Sequence, residues 1–338
     1  MLKQISLLIL CAAAIVWFVT PVQACTSAVV SGKVTPDGRP LLWKNRDTDF
    51  MQNHIDYVKG EKYNFIAVVN SANAYLKEAW MGTNSAGFAL MNTQSYNLVD
   101  VKGGEERGAA NGRVIYRALE VCATVEDFCH FLDTISKPSD IEANFGVIDA
   151  QGGAAMFEVD YHKYVMYDAN NPKDAPYGYI ARTNFSFAGK VNEGAGYVRY
   201  MEADQVLMKS SATGSITPQF IFNDLSRSFR NRMLDIDLRS GAYNRPQASG
   251  WFVDQDFIPR SSTSCSVVVQ GVKPGEKAEL TTMWTLLGYP PTGIAIPLWV
   301  KDAGKLLPGM VRFGKEHEAA PLSDWSLRLA DRVFSYKQ

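Results

Sequence analysis

Val22-Gln23-Ala24-Cys25-Thr26-Ser27-Ala28-Val29-Val30-Ser31, then Thr35-Pro36-Asp37-Gly38-Arg39-Pro40, then Leu41-Leu42-Trp43-Lys44-Asn45-Arg46-Asp47-Thr48-Asp49: this stretch decides how the chain is read. Residues 26–31 and 41–45 are β-favouring runs, and the Pro-Asp-Gly between them is a turn signal, because proline presets φ and glycine accepts a positive one. The spacing predicts a hairpin that starts at Thr26 and brings the Arg46 end of its second strand beside Cys25.

Upstream of Cys25 the pattern is that of an export leader. Lys3 gives a positive start, an apolar stretch of about 15 residues follows, and Val22 and Ala24 are the small residues a signal peptidase accepts. A membrane span needs about 20 such residues, so the leader is read as cleaved after Ala24. That gives a signal peptide over 1–24 and one domain over 25–338, with no integral membrane span after processing, in the periplasm or secreted. The competing fate is a lipoprotein, in which the Cys25 sulfur would be locked in a thioether. Gln23 stands where such a signal usually has a small or apolar residue.

The full chain has 338 residues with 34 basic and 35 acidic side chains, a formal charge of −1 that offers no grip on nucleic acid or an anionic membrane. Its 46% hydrophobic and 20% charged residues supply a sizeable core and argue against disorder. Five cysteines are too few and too scattered for a disulfide scaffold, and no CxxC pair suggests a zinc site. No metal or organic cofactor is expected. No linker or repeat divides the chain, and a homo-oligomer is left open.

Outward from the hairpin, strands are expected at 63–70, 78–82 and 87–93, with Asn84-Ser85-Ala86-Gly87 as a turn. Helical spacing covers 112–132, restarting at the cap-like Thr124. Strands return at 144–149, 154–160, 164–167 and 177–182, helices at 196–209 and 217–234, and strands at 264–270, 278–287 and 293–299. Sheet, then helices, then sheet points to α+β with layered sheets.

Chemistry begins at Cys25. As an N-terminal residue it carries a thiol and a free α-amine, whose ordinary pKa of about 7.7 to 8.0 lets it take a proton near neutrality. His54, His130, His162 and His317 fall in no recognisable Cys/His arrangement and read as surface or core residues. In the Arg46-Asp47-Thr48-Asp49 segment, a guanidinium can stabilise a thiolate or hold an acyl oxygen, and a carboxylate can orient an α-ammonium. On its own such a pair would be a surface ion pair. Cys122, Cys129 and Cys265 read as buried structural thiols, since seven residues on a continuous helix set Cys122 and Cys129 about 10.5 Å apart.

These residues resemble the choloylglycine hydrolase and penicillin V acylase family of N-terminal-nucleophile enzymes, which cleave linear amides. The likeness continues through Thr83-Asn84-Ser85-Ala86-Gly87-Phe88-Ala89-Leu90-Met91-Asn92, through Phe157-Glu158, and through Ile180-Ala181-Arg182-Thr183-Asn184. It implies a four-layer αββα sandwich of two mostly antiparallel sheets flanked by helices. It also implies Cys25 as nucleophile and base, Arg46 and Asp49 as its partners, Asn92 as an oxyanion donor and Asn184 as an orienting group. Arg199, in Gly196-Tyr197-Val198-Arg199-Tyr200, matches a later family arginine.

The implied activity is cleavage of a small-molecule N-acyl amide, of the bile-salt, penicillin V or N-acyl amino acid type, through a thioester. Asp47-Thr48 departs from that branch, which tends to have Asn and an apolar residue there. Ser264-Cys265-Ser266-Val267 and Met283-Trp284-Thr285-Leu286-Leu287-Gly288-Tyr289-Pro290 are more similar to isopenicillin-N acyltransferase relatives. An acyltransferase would pass the acyl group to an amine. A lipid-anchored, non-catalytic binding protein is the alternative of another class.

Overall fold

A computed structural model describes residues 24–100, 108–241, 251–252, 256–314 and 319–336. The leader reading over residues 1–23 lies outside them. Ten strands come first: β1 (Thr26–Val30), β2 (Leu41–Asp47), β3 (Asn53–Val58), β4 (Phe65–Asn70), β5 (Met81–Asn84), β6 (Ala89–Gln94), β7 (Ala143–Ile148), β8 (Ala154–Val159), β9 (Tyr164–Asp168) and β10 (Tyr179–Arg182). β11 (Thr263–Gln270), β12 (Thr282–Leu287) and β13 (Ala295–Leu298) follow. The main helices are α1 (Asn111–Val121), α2 (Val125–Thr134), α3 (Tyr197–Ser211) and α4 (Pro321–Val333).

The expected hairpin forms, with Thr26 opposite Asn45 and Val30 opposite Leu41, and its Arg46 end lies beside Cys25. It sits inside a six-stranded antiparallel sheet ordered β10-β1-β2-β11-β12-β13. The second sheet is a seven-stranded antiparallel meander, β3 to β9 in chain order.

Strand periodicity turns these sheets into layers. Val29, Leu42, Val267 and Val269 of the first sheet meet Val68, Met91 and Met156 of the second in a central core. On the far side of the second sheet, Phe65, Leu90, Phe145 and Phe157 pack against Ile115 and Leu119 of α1 and Phe128 of α2. On the far side of the first, Ala28, Trp43 and Val268 pack against Ala203 and Leu207 of α3 and against Ile221 and Leu225. The result is the expected αββα order, and it explains why strands such as β2 read as continuous runs: both of their faces are buried.

Local signals acted where expected. Thr124 accepts from the Asp127 N–H at 3.0 Å while Asp127 accepts from the Thr124 N–H at 3.1 Å, a capping box that starts α2 afresh. Cys122 therefore caps the end of α1 while Cys129 sits on α2, and both are free thiols.

Elsewhere the structure differs from the sequence reading. The helix expected over 217–234 is short: Pro218–Phe220 passes into a wide π turn at Ile221–Leu225, after which Arg230–Asn231 pairs with Ile236–Asp237. The strand expected from 278 begins at Thr282, after a 3-10 turn at Ala278–Leu280. β3 and α4 lie in stretches for which the sequence reading named no element. None of the helices among the described residues is long and apolar enough to cross a membrane.

Candidate active site

The hairpin register carries Cys25, one residue before Thr26, to a position across from Arg46, and β11 sets Cys265 on the other side of Arg46. Cys25 is buried, and its Sγ–H points to the Asp47 carbonyl at 3.8 Å. Lys44 and Arg46, two residues apart, share the face of β2 that looks at the second sheet. Arg46 donates from Nη1 to Asn53 Oδ1 at 2.5 Å, and its guanidinium lies 4.6 Å from the centroid of the Trp80 ring. Burial lowers its pKa to about 10.

Lys44 crosses the central core. Its Nζ donates to Asn92 Oδ1 at 3.0 Å and to the Trp80 carbonyl at 3.1 Å. Burial lowers the Lys44 pKa to about 8, and the strongest charge effect opposing that fall comes from Cys25. Asn92 is thereby tied to the same cluster although it stands on β6 of the other sheet.

Arg199 approaches Cys25 from the helix layer. It is among the largest fully buried side chains, and it donates from Nη1 to the Cys25 carbonyl at 2.6 Å and to Thr26 Oγ1 at 2.9 Å. Its Nη2 donates to Asn184 Oδ1 at 2.9 Å, while Asn184 Nδ2 donates to the Gln94 carbonyl at 2.8 Å. Desolvation lowers its pKa to about 10. Gly196, at φ +83°, starts α3 here; a Cβ on it would lie 2.3 Å from Arg199 Nη2, so only glycine leaves room for the guanidinium.

The strand end that carries Asn184 is itself clamped. Arg182 Nε donates to the buried Glu158 Oε1 at 2.6 Å, and Glu158 also accepts from the Phe187 and Ala188 N–H groups at 2.9 and 2.7 Å. A carboxylate with three donors closes the segment behind Asn184.

Of the residues expected at the site, Cys25, Arg46, Asn92, Asn184 and Arg199 are brought into one connected cluster. Asp49 is not. It falls beyond the end of β2 and is exposed, whereas Asp47, the last residue of that strand, is buried beside the site. Asp47 Oδ1 accepts from Thr263 Oγ1 at 2.6 Å, and its Oδ2 lies 3.9 Å from Arg260 Nε. The placement has a plain cause: the register with β11 sets Thr263 opposite Asp47 and keeps it in the sheet, and Asp49 lies two residues past the strand.

Lys44, Trp80 and Asn53 were missed in the sequence. Lys44 had a signal, a cation inside the β-favouring run 41–45, but Trp80 and Asn53 had none. Cys265, read as a bystander, faces Arg46 across the strand pair, and burial pushes its thiol up to about 11. His54 is buried and its pKa is lowered to about 4 by desolvation, His130 and His162 are exposed, and His317 lies outside the described residues.

A family model described as acyl-coenzyme A:6-aminopenicillanic acid acyl-transferase matches residues 34–212, a span that takes in Lys44, Arg46, Asn92, Asn184 and Arg199 and begins downstream of Cys25. Comparison with curated proteins finds no match. Among solved structures, a variant of conjugated bile acid hydrolase from Clostridium perfringens is 13% identical over 82% of this chain and 93% of its own, with a TM-score of 0.49. Penicillin V acylase from Agrobacterium tumefaciens is 14% identical over 82% of this chain and 86% of its own, with a TM-score of 0.43. A Caenorhabditis elegans ortholog of N-acylethanolamine-hydrolyzing acid amidase is 16% identical over 60% of this chain and 89% of its own, with a TM-score of 0.40.

Proposed function

The chain belongs to the acyl-coenzyme A:6-aminopenicillanic acid acyl-transferase family, enzymes that act on amide bonds as hydrolases or acyltransferases, and from that premise we propose an exported cysteine amidase. Its substrate is the linear amide of a small N-acyl compound, and its nucleophile is Cys25 once residues 1–24 are removed.

The observation that carries this reading is the convergence on one cysteine of groups from four separate segments. Arg199 grips the Cys25 carbonyl and Asn184 together, and Lys44 and Arg46 flank Cys25 on the neighbouring strand, with Asn92 held by Lys44. A structural thiol has no need of such surroundings.

In the reaction, the α-amine of Cys25 takes the thiol proton and the sulfur attacks the amide carbonyl carbon. The tetrahedral oxyanion accepts from Asn92 Nδ2, which has no hydrogen-bond acceptor among the described residues. Collapse breaks the C–N bond, the α-ammonium gives its proton to the leaving amine, and the acyl group stays on sulfur as a thioester. Water, losing a proton to the same amine, then releases the acid and restores the thiol. Arg199 keeps the nucleophile's backbone in place throughout, and by register the freed amine emerges next to Asp47. The family name favours a second outcome, in which an amine replaces water as acceptor.

The test is intact mass followed by turnover. A mature protein that starts at Cys25 without acyl chains, and that releases free amine from at least one of a panel of bile-salt conjugates, penicillin V and N-acyl amino acids, is the expected result. Cys25→Ala should abolish that turnover while leaving the fold intact. Added amine acceptors separate transfer from hydrolysis. A lipid-modified Cys25, or turnover that survives Cys25→Ala, would end this reading.

A further inference from the structure

Lys44 stands in a strand whose seven residues are all buried, with its ammonium held by two neutral acceptors, Asn92 Oδ1 and the Trp80 carbonyl. None of the described carboxylates hydrogen-bonds to it. The charged and titratable groups that act on it are Cys25, Arg46, Cys265 and Asp47, all from its own or neighbouring strands of the same sheet. An apolar residue would fill this position at lower cost, because a buried ammonium is expensive unless it is fully compensated.

What the ammonium does is fix an orientation. A lysine side chain has donors only, so the Asn92 amide must turn its oxygen toward Nζ. The other end of the planar amide follows, and Nδ2 is left without a hydrogen-bond acceptor among the described residues. The bond also polarises the amide, which strengthens the N–H groups on its far side.

We propose that Lys44 is a positioning residue that locks the Asn92 amide with Nδ2 presented as an oxyanion donor, a role that rests on the reading of Asn92 given above. Lys44 touches no reacting atom in this scheme and acts through Asn92 alone.

Two measurements on the mature full-length protein test it. With an amide that Cys25 turns over, Lys44→Met should lower kcat by about 10²–10³-fold, the loss typical of one oxyanion donor, with KM nearly unchanged. The double variant Lys44→Met/Asn92→Ala should then lose no more than Asn92→Ala alone, and losses that multiply would overturn the proposal. The second measurement needs no turnover and no variant. In the wild-type protein the Asn92 side-chain amide resonances should shift with a midpoint near pH 8 as Lys44 titrates. An amide signal that stays fixed between pH 7 and 9 would overturn the assignment. If that signal titrates but no amide is turned over in a Cys25-dependent way, the positioning stands and the functional reading falls.

Discussion

Three buried cations, Lys44, Arg46 and Arg199, surround a single cysteine, and each has its pKa lowered by desolvation. Such a cluster is a stability cost concentrated at one place, as functional sites commonly are. For Lys44 the sign follows from linkage. Its folded pKa of about 8 lies below the ordinary 10.5, so between those values the folded state binds fewer protons than the unfolded one. Below pH 8 the buried charge costs on the order of 3 kcal/mol, and stability is recovered as pH rises from 8 toward 10.5. Urea unfolding of wild type and Lys44→Met at pH 7 and pH 10 should therefore show the wild type gaining about 2–3 kcal/mol on the variant at the higher pH. A pH-independent difference would mean that Lys44 is not the buried ammonium described. A charge directly after Leu41-Leu42-Trp43 was the one legible hint of this residue. Its partner on the other sheet was not legible, because no local rule links residue 44 to residue 92.

Elements place these residues with different tolerances. The start of α3 is unforgiving: Gly196 adopts φ +83°, and a methyl group there would meet Arg199 Cζ at 2.8 Å and Thr183 Oγ1 at 2.9 Å as well as Nη2. Gly196→Ala should destabilise by about 1–2 kcal/mol through the left-handed backbone, and should also cut turnover at least about tenfold by dislodging the guanidinium from the Cys25 carbonyl. The capping box of α2 makes a useful contrast. Thr124→Ala should cost about 1 kcal/mol by thermal melting and leave kcat unchanged, since that helix packs on the far face of the second sheet. If both variants lost activity in proportion to stability, Gly196 would have no special relation to the site. The cap at Thr124 was readable from four consecutive residues. The early end of the 217–234 helix was not, because Phe220, Ile221 and Leu225 keep helical spacing into a π turn and only their packing under the first sheet shows where it stops.

Across the whole molecule, the site is a product of two sheets meeting at a fixed separation. Lys44 to Asn92 and Arg46 to Asn53 both bridge from the first sheet to the second, so the distance between layers sets both bonds. Gly146 on β7 keeps that distance: a Cβ there would come within 2.3 Å of Met91 Cε, 2.8 Å of Leu42 Cδ1 and 2.9 Å of Val29 Cγ2. Gly146→Ala should overpack the central core, costing about 1–3 kcal/mol in denaturant unfolding, and should lower kcat beyond what the remaining folded fraction accounts for. A variant as active as wild type per folded molecule would show that the sheets can part without disturbing the site.

The sequence by itself determined what depends on neighbours along the chain. Turn chemistry at Pro36-Asp37-Gly38 and two flanking β runs were enough to pair β1 with β2 and to bring the Arg46 end of the second strand beside Cys25. Alternation and helical spacing likewise gave most of the strands, the capped helix and the layered α+β order. Tertiary structure alone decided which side chains meet between layers. It buried Asp47 and left Asp49 exposed, by keeping Asp47 in the sheet opposite Thr263 and leaving Asp49 two residues past the strand. It brought Arg199 to the Cys25 carbonyl and joined Lys44 to Asn92. Those contacts arise from the packing of faces far apart in sequence, and periodicity specifies which face a residue occupies but not what stands opposite it.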